Sequence, residues 1–377
     1  MLTLISNVFV SVEDRIWRST ANDEESLSYF RILFGFFIMG FAWPAYSWIG
    51  TVPNSFFDPP MLSLASLLGG FPSAGFLKAL DLVIIVSTVT LTLGLLTRAS
   101  TILLFVSILI GNHFRYSFGK IDHEFLLLCL LFVMIFSNWG RCLSIDSLRR
   151  SIQLPKSASK TWADMRLLGV FLAFGFFTAG FGKALNWIDL NFGTNGFLRW
   201  LYSDYFSLGR DKLLANLAMS VHPLWLWEFA DIMAVIFELG FVLALFSRRG
   251  WRIWLSVACV FHLLNCMILN IPFTVHSIVY LAFVPWRQLF SEKSLVFTQP
   301  KLLLLIFSVF CLVFVAIRII AAPDGGIFLA GHPSLETQLW ASCAIWIFSL
   351  GALILFEFGQ ELKARFGLSG PIGIAGK

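Results

Sequence analysis

Charge is what this chain has least of. Asp, Glu, Lys and Arg supply 13% of its 377 residues and hydrophobic residues 58%, whereas soluble domains carry roughly 25% charge. That balance, with a mean hydropathy of +0.81, excludes both a water-soluble globule and a disordered chain. Cysteine is scarce as well. The six (Cys129, Cys142, Cys259, Cys266, Cys311 and Cys343) form no CxxC pair, so neither a disulfide framework nor a zinc site is indicated. Strand-like alternation is missing, which argues against a β-barrel, and so are tandem repeats and low-complexity linkers. The residues before Tyr29 include Glu13, Asp14, Arg15 and Arg18 and no long apolar run, so no cleavable signal peptide is expected. No basic domain stands apart from the apolar runs. The formal charge of +5 therefore asks for no nucleic-acid partner.

What the chain has is length in its apolar runs. A helix needs about 20 apolar residues to cross a hydrocarbon core of roughly 30 Å. By that criterion the sequence predicts an all-α polytopic membrane bundle of about ten spans. They fall near Tyr29–Ile49, Phe76–Leu96, Ser100–Phe118, Ile121–Trp139, Met165–Trp187, Leu224–Phe246, Ile253–Ile271, Val275–Leu289, Leu302–Ala321 and Leu339–Gly359. The eighth is short and holds Pro285. Basic residues such as Arg98, Arg141, Arg149, Arg150, Lys156, Arg248, Arg249 and Arg252 gather in the even-numbered connections. The positive-inside rule then puts both termini in the cytoplasm.

Three regions follow: a cytoplasmic arm (1–28), a membrane domain (29–290), and two further spans with a tail (291–377). In the arm, Ile5, Phe9, Val12 and Ile16 share one helical face, which suits a helix lying on the inner surface among the membrane lipids. The last two spans carry almost nothing ionisable and read as structural. Two long external segments, Gly50–Gly75 and Ile188–Pro223, are rich in Gly, Pro and aromatics. They read either as interfacial caps or as a cover over an amphiphilic ligand.

Against this background the polar residues inside spans stand out. A charge at mid-membrane costs about 3 kcal/mol on insertion scales, so it needs a partner or a task. Asp122 and His123 open the fourth span; Lys183 lies about one turn from the end of the fifth. Glu228, Asp231 and Glu238 fall close to one stripe of the sixth, His262 and Asn265 share a face of the seventh, and His276 opens the eighth. By the predicted orientation all of them fall in the outer half of the membrane. Plain readings stand beside the functional one. Lys183 can snorkel, Asp122 can cap a helix, and His262 with Asn265 can serve as interhelical glue. Glu238 is harder to explain away, because a mid-span carboxylate must pair or take up a proton. An amine in an apolar pocket can act as a base toward a weakly acidic hydroxyl.

The order of motifs resembles the membrane domain of vitamin K-dependent γ-glutamyl carboxylase, the fold of the horizontally transferred transmembrane (HTTM) family. The stretches that carry the resemblance are FRILFGFFIMG (Phe30–Gly40), LTLGLLTRAS (Leu91–Ser100), KIDHEFLLLCLLFVMIFSNWGRCLSID (Lys120–Asp146), FFTAGFGKALNW (Phe176–Trp187) and CVFHLLNCMILNIPFTVHSIVYLAFVPW (Cys259–Trp286). The resemblance implies Lys183, in Ala179-Gly180-Phe181-Gly182-Lys183, as the base that deprotonates reduced vitamin K or menaquinol. It puts His123 and His262 in supporting catalytic roles. Asn265, Asp122, His276, Asp231 and Glu238 are then the candidates for holding the quinol. Gly182 stands where the family has a second lysine, and no β-rich portion that grips a protein substrate is expected. Two functions compete. One is a quinol-dependent, carboxylase-like lyase in a bacterial inner membrane; the other is a non-enzymatic scaffold or export partner for a small secreted peptide.

Overall fold

Helices begin where the sequence supplies a cap. Asp23 accepts from the Ser26 amide at 2.7 Å and opens α1, Glu24–Phe41. Ser73 opens α2, Ala74–Leu93, which stops at Gly94 in the left-handed region (φ +67°). The third helix, α3 (Thr97–Arg115), has no capping side chain of its own. Asp146, far along the chain, accepts from the amides of Leu96 (2.9 Å) and Thr97 (2.8 Å) instead. Next come α4 (Phe125–Met134), α5 (Trp162–Asn186), α6 (Gly196–Leu208), α7 (Leu224–Ala244), α8 (Arg248–Ile268), α9 (Thr274–Leu281), α10 (Pro300–Ala321) and α11 (Leu335–Arg365). This computed structural model describes residues 22–61, 63–119, 124–149, 162–189, 195–289, 299–321 and 334–365, with a few positions before them. The predicted interfacial helix of the arm falls mostly outside the described residues, as does the C-terminal tail. Among the described residues there is no strand, only an isolated bridge between Asp58 and Phe118.

Each of the ten apolar segments contains a helix. Six of these helices are long and apolar enough to cross a membrane: α2, α3, α5, α8, α10 and α11. The other four differ for two reasons. α4 and α9 have 10 and 8 residues, about half a bilayer at 1.5 Å per residue. α1 carries Glu24, Glu25 and Arg31, and α7 carries Glu228, Asp231 and Glu238. The outer surfaces of the long helices are greasy, with Phe174, Leu243, Leu305, Phe310, Leu312 and Ile320 all exposed. That is a surface for hydrocarbon rather than water.

α5 packs along α7, α2 along α3, and α11 along α8 and α9; α1 lies against α2 and α9. The segment expected to be external, Ile188–Pro223, holds two helices among its described residues, α6 packed on α7 and a short one at Ala215–Met219. Its mixed aromatic and charged composition hid the helix from a hydropathy reading.

One end of the bundle is tied together by Arg31, which is fully buried. Its guanidinium donates to the carbonyls of Leu91 (2.7 Å), Thr92 (2.8 Å), Trp139 (3.0 Å) and Leu143 (2.6 Å). Gly94 is required beside it, since a Cβ there would meet Arg31 Nη1 at 2.6 Å. Three of the sequence motifs, FRILFGFFIMG, LTLGLLTRAS and the end of the Lys120–Asp146 stretch, therefore converge on one cation. At the same end Glu24 pairs with Arg141 and Glu25 with Arg287.

Candidate functional site

Gly180 sets the spacing between α5 and α7. A Cβ on it would lie 2.8 Å from Glu238 Cβ and 3.1 Å from the Leu239 nitrogen, so only glycine lets the backbones come this close. One turn further along α5, Lys183 reaches Glu238 and forms an ion pair with its Oε1. Glu238 is 3% exposed and Lys183 24%. The ammonium also sits 5.1 Å from the Trp187 ring and 5.9 Å from the Phe261 ring, within cation–π range. The other carboxylate oxygen, Glu238 Oε2, is buried with no hydrogen-bond partner among the described residues. In a native interior such an acceptor calls for an explanation. Gly182, by contrast, faces open space.

Phe261 links this pair to a second group. Its ring packs 5.4 Å from that of His262, whose Nε2 lies 2.8 Å from the Tyr280 hydroxyl. His276 stands edge-on to His262 at 5.2 Å, and Phe273 and Phe176 complete the wall. Trp346 stacks on His262 at 4.9 Å and donates from its indole to the Pro272 carbonyl at 2.7 Å. Through Trp346, α11 contributes a wall of the histidine cluster. Neither Tyr280 nor Trp346 could be singled out beforehand, since an aromatic in an apolar run carries no local mark of function.

The remaining candidates have other occupations. Asp231 accepts from the amides of Gly196 (2.7 Å) and Phe197 (2.8 Å), capping α6 from another helix. Glu228 accepts from the Asn195 side chain at 3.1 Å. Asn265 donates to the Phe261 carbonyl of its own helix at 2.9 Å. Asp122 and His123 lie outside the described residues. Glu124 forms a rim pair with Arg115 at 2.5 Å. Among the described residues no cluster of His, Cys, Asp and Glu suits a metal ion.

Beside Lys183, a cavity of about 710 Å³ opens between the end of α5 and α6. Trp187, Asn195, Arg199, Trp200 and Tyr202 line it, so Trp187 is shared between the cavity and the ammonium. The site thus joins a half-buried ammonium, a buried carboxylate with one unpartnered oxygen and a flanking aromatic cavity.

The HTTM domain matches this chain over residues 19–293. The chain belongs to the HTTM domain family. No curated protein and no solved structure matches it. Lys183, Glu238, His262, His276 and Tyr280 all fall inside the HTTM domain. Trp346 is supplied from beyond the matched residues, so the aromatic cluster joins the HTTM domain to the α11 that follows it.

Proposed function

We propose that this chain is a membrane protein of ten membrane-embedded segments, α4 and α9 among them as short helices, with both termini in the cytoplasm, and that its outer half houses an acid–base centre acting on an amphiphilic hydroxyl compound. The observation that carries the reading is Glu238, a buried carboxylate held on one oxygen by Lys183 and, on the other, buried with no hydrogen-bond partner among the described residues. In this arrangement Glu238 takes the hydroxyl proton on Oε2. The Lys183 ammonium then stabilises the oxyanion left behind, as a preorganised charge does in a dry site. That reassigns the roles expected from sequence, where Lys183 alone was the base. In this reading His262, bonded to the Tyr280 hydroxyl, passes or holds a second proton.

A reduced naphthoquinone, vitamin K quinol or menaquinol, fits these residues. Trp187 and Phe261 would hold its flat ring, and the vacant Glu238 oxygen would accept from a hydroxyl. When bound, it supplies an acidic hydroxyl and, with oxygen, the strong base that carboxylase-like chemistry on a peptide needs. A bacterial cytoplasmic membrane is the natural setting for this. The decisive measurement is quinol-dependent oxygen uptake by the purified protein in lipid. Glu238→Gln and Lys183→Ala should each lower it at least about a hundredfold, the usual scale for a positioned acid or base. Full activity in either variant removes the reading.

A second reading has its own support. Asp231 and Glu228 hold α6 in place, which shows that buried acids in this chain also serve architecture. If Glu238 does the same, the chain is a scaffold or export partner for a small secreted peptide. Lys183→Ala then impairs function only as far as it lowers folded yield.

A further inference from the structure

The six cysteines look unrelated in the sequence, yet two of them touch. Cys266, on α8, and Cys343, on α11, are separated by 77 residues and have their sulfurs 3.7 Å apart. Both are buried and form one small cluster with Leu339, against which Leu213, Leu263 and Met267 pack. The Cys343 thiol donates to the Cys266 sulfur, and the Cys266 thiol to the Leu339 carbonyl at 3.6 Å. We propose that Cys266 and Cys343 are a dithiol that closes to a disulfide and fastens α11 to α8 behind the histidine cluster.

Three features carry this. A disulfide bond is about 2.05 Å long, so the sulfurs need to approach by only about 1.7 Å, within reach of small rotations about the two Cα–Cβ bonds. The pair lies near the end of α8 (Arg248–Ile268), away from the end tied by Arg31, Arg141 and Arg287. Under the topology proposed above that is the extracytoplasmic side, where disulfides persist. Finally, Cys266 follows His262 by four residues and Cys343 precedes Trp346 by three, so each cysteine shares a helix face with one ring of the His262–Trp346 stack. Closing the bond fixes that stack and, with it, the wall that α11 lends to the HTTM domain.

The chemistry balances with dioxygen as the two-electron oxidant. Each thiol gives up one proton and one electron, the Sγ–Sγ bond forms, and dioxygen leaves as hydrogen peroxide. Dioxygen is small and apolar, so it reaches a pair enclosed by Leu and Met side chains. Charged thiols such as glutathione do not, and the bond once formed is protected from them.

The test counts thiols in the full-length protein, purified in detergent, reduced with uncharged dithiothreitol, freed of it, and then either held without oxygen or exposed to it. Each sample is denatured, alkylated with N-ethylmaleimide and weighed, and its peptides are mapped. All six cysteines are free in the structure. The oxygen-free sample should take up six labels. The exposed sample should take up four and yield a peptide joining Cys266 to Cys343. Cys266→Ser and Cys343→Ser should each take up five labels under both conditions. Six labels after exposure, or a linkage between other cysteines, overturns the proposal. The wild-type samples decide the matter even where a variant folds poorly, and the readout does not depend on quinol activity.

Discussion

Arg31 and Lys183 are both cations inside apolar helices, and they are held in opposite ways. Arg31 is surrounded by four backbone carbonyls from two separate segments, with no carboxylate among these partners. Its charge is spread over a fork whose three nitrogens each find an acceptor within the fold. Lys183 has a single carboxylate partner, two aromatic faces, and beside it an oxygen with nothing to accept. The contrast shows how to sort buried charges in this fold. Arg31 holds segments together; Glu238 beside Lys183 keeps an unpartnered oxygen, as Glu228 does on its Oε1, and the proposed acid–base centre rests on the former lying next to a cation.

The largest effect expected from this contrast is at Arg31. Arg31→Leu takes donors from four carbonyls and should cost about 3–5 kcal/mol, the scale of breaking a buried charge from its partners. Unfolding in detergent measures it; an unchanged melting profile would mean that the carbonyls find water instead. Asp231→Asn comes next. Only one of its two oxygens then remains to receive the amides of Gly196 and Phe197, and the loss should be about 1–2 kcal/mol. Faster proteolysis in Gly196–Leu208 is the readout, and intact resistance there would remove Asp231 from the architectural group. Glu238→Gln should have the smallest effect on stability, within about 1 kcal/mol, because Lys183 is near enough to the edge to turn toward the headgroups. A loss as large as that at Arg31 would erase the distinction between the two cations and favour the scaffold reading.

Much of this was legible in the residues. Ten apolar runs each produced a helix, and Lys183, Glu238, His262 and His276 were singled out by the cost of placing polar groups in lipid. Other features are not legible in the residues alone. Asp231, on the same stripe as Glu238, faces a helix N-terminus, and no stripe distinguishes the two. The last span seemed inert because Trp346 is apolar apart from one N–H, and only its neighbours give it a role. Helix α6 escaped notice because its aromatic and charged residues defeat a hydropathy average.

The sequence by itself determined the solvent and the secondary structure. Hydropathy, the local caps Asp23 and Ser73 and the glycine stop at Gly94 act over one or two turns, so a local stretch of chain contains all the information they need. Tertiary structure alone decided which polar group met which partner. The guanidinium of Arg31 reaches carbonyls 60 to 112 residues away, Lys183 meets a carboxylate 55 residues on, and two thiols touch across 77. Such meetings depend on how whole helices pack, and that is set by the sum of many weak contacts rather than by any one residue's neighbours in the chain.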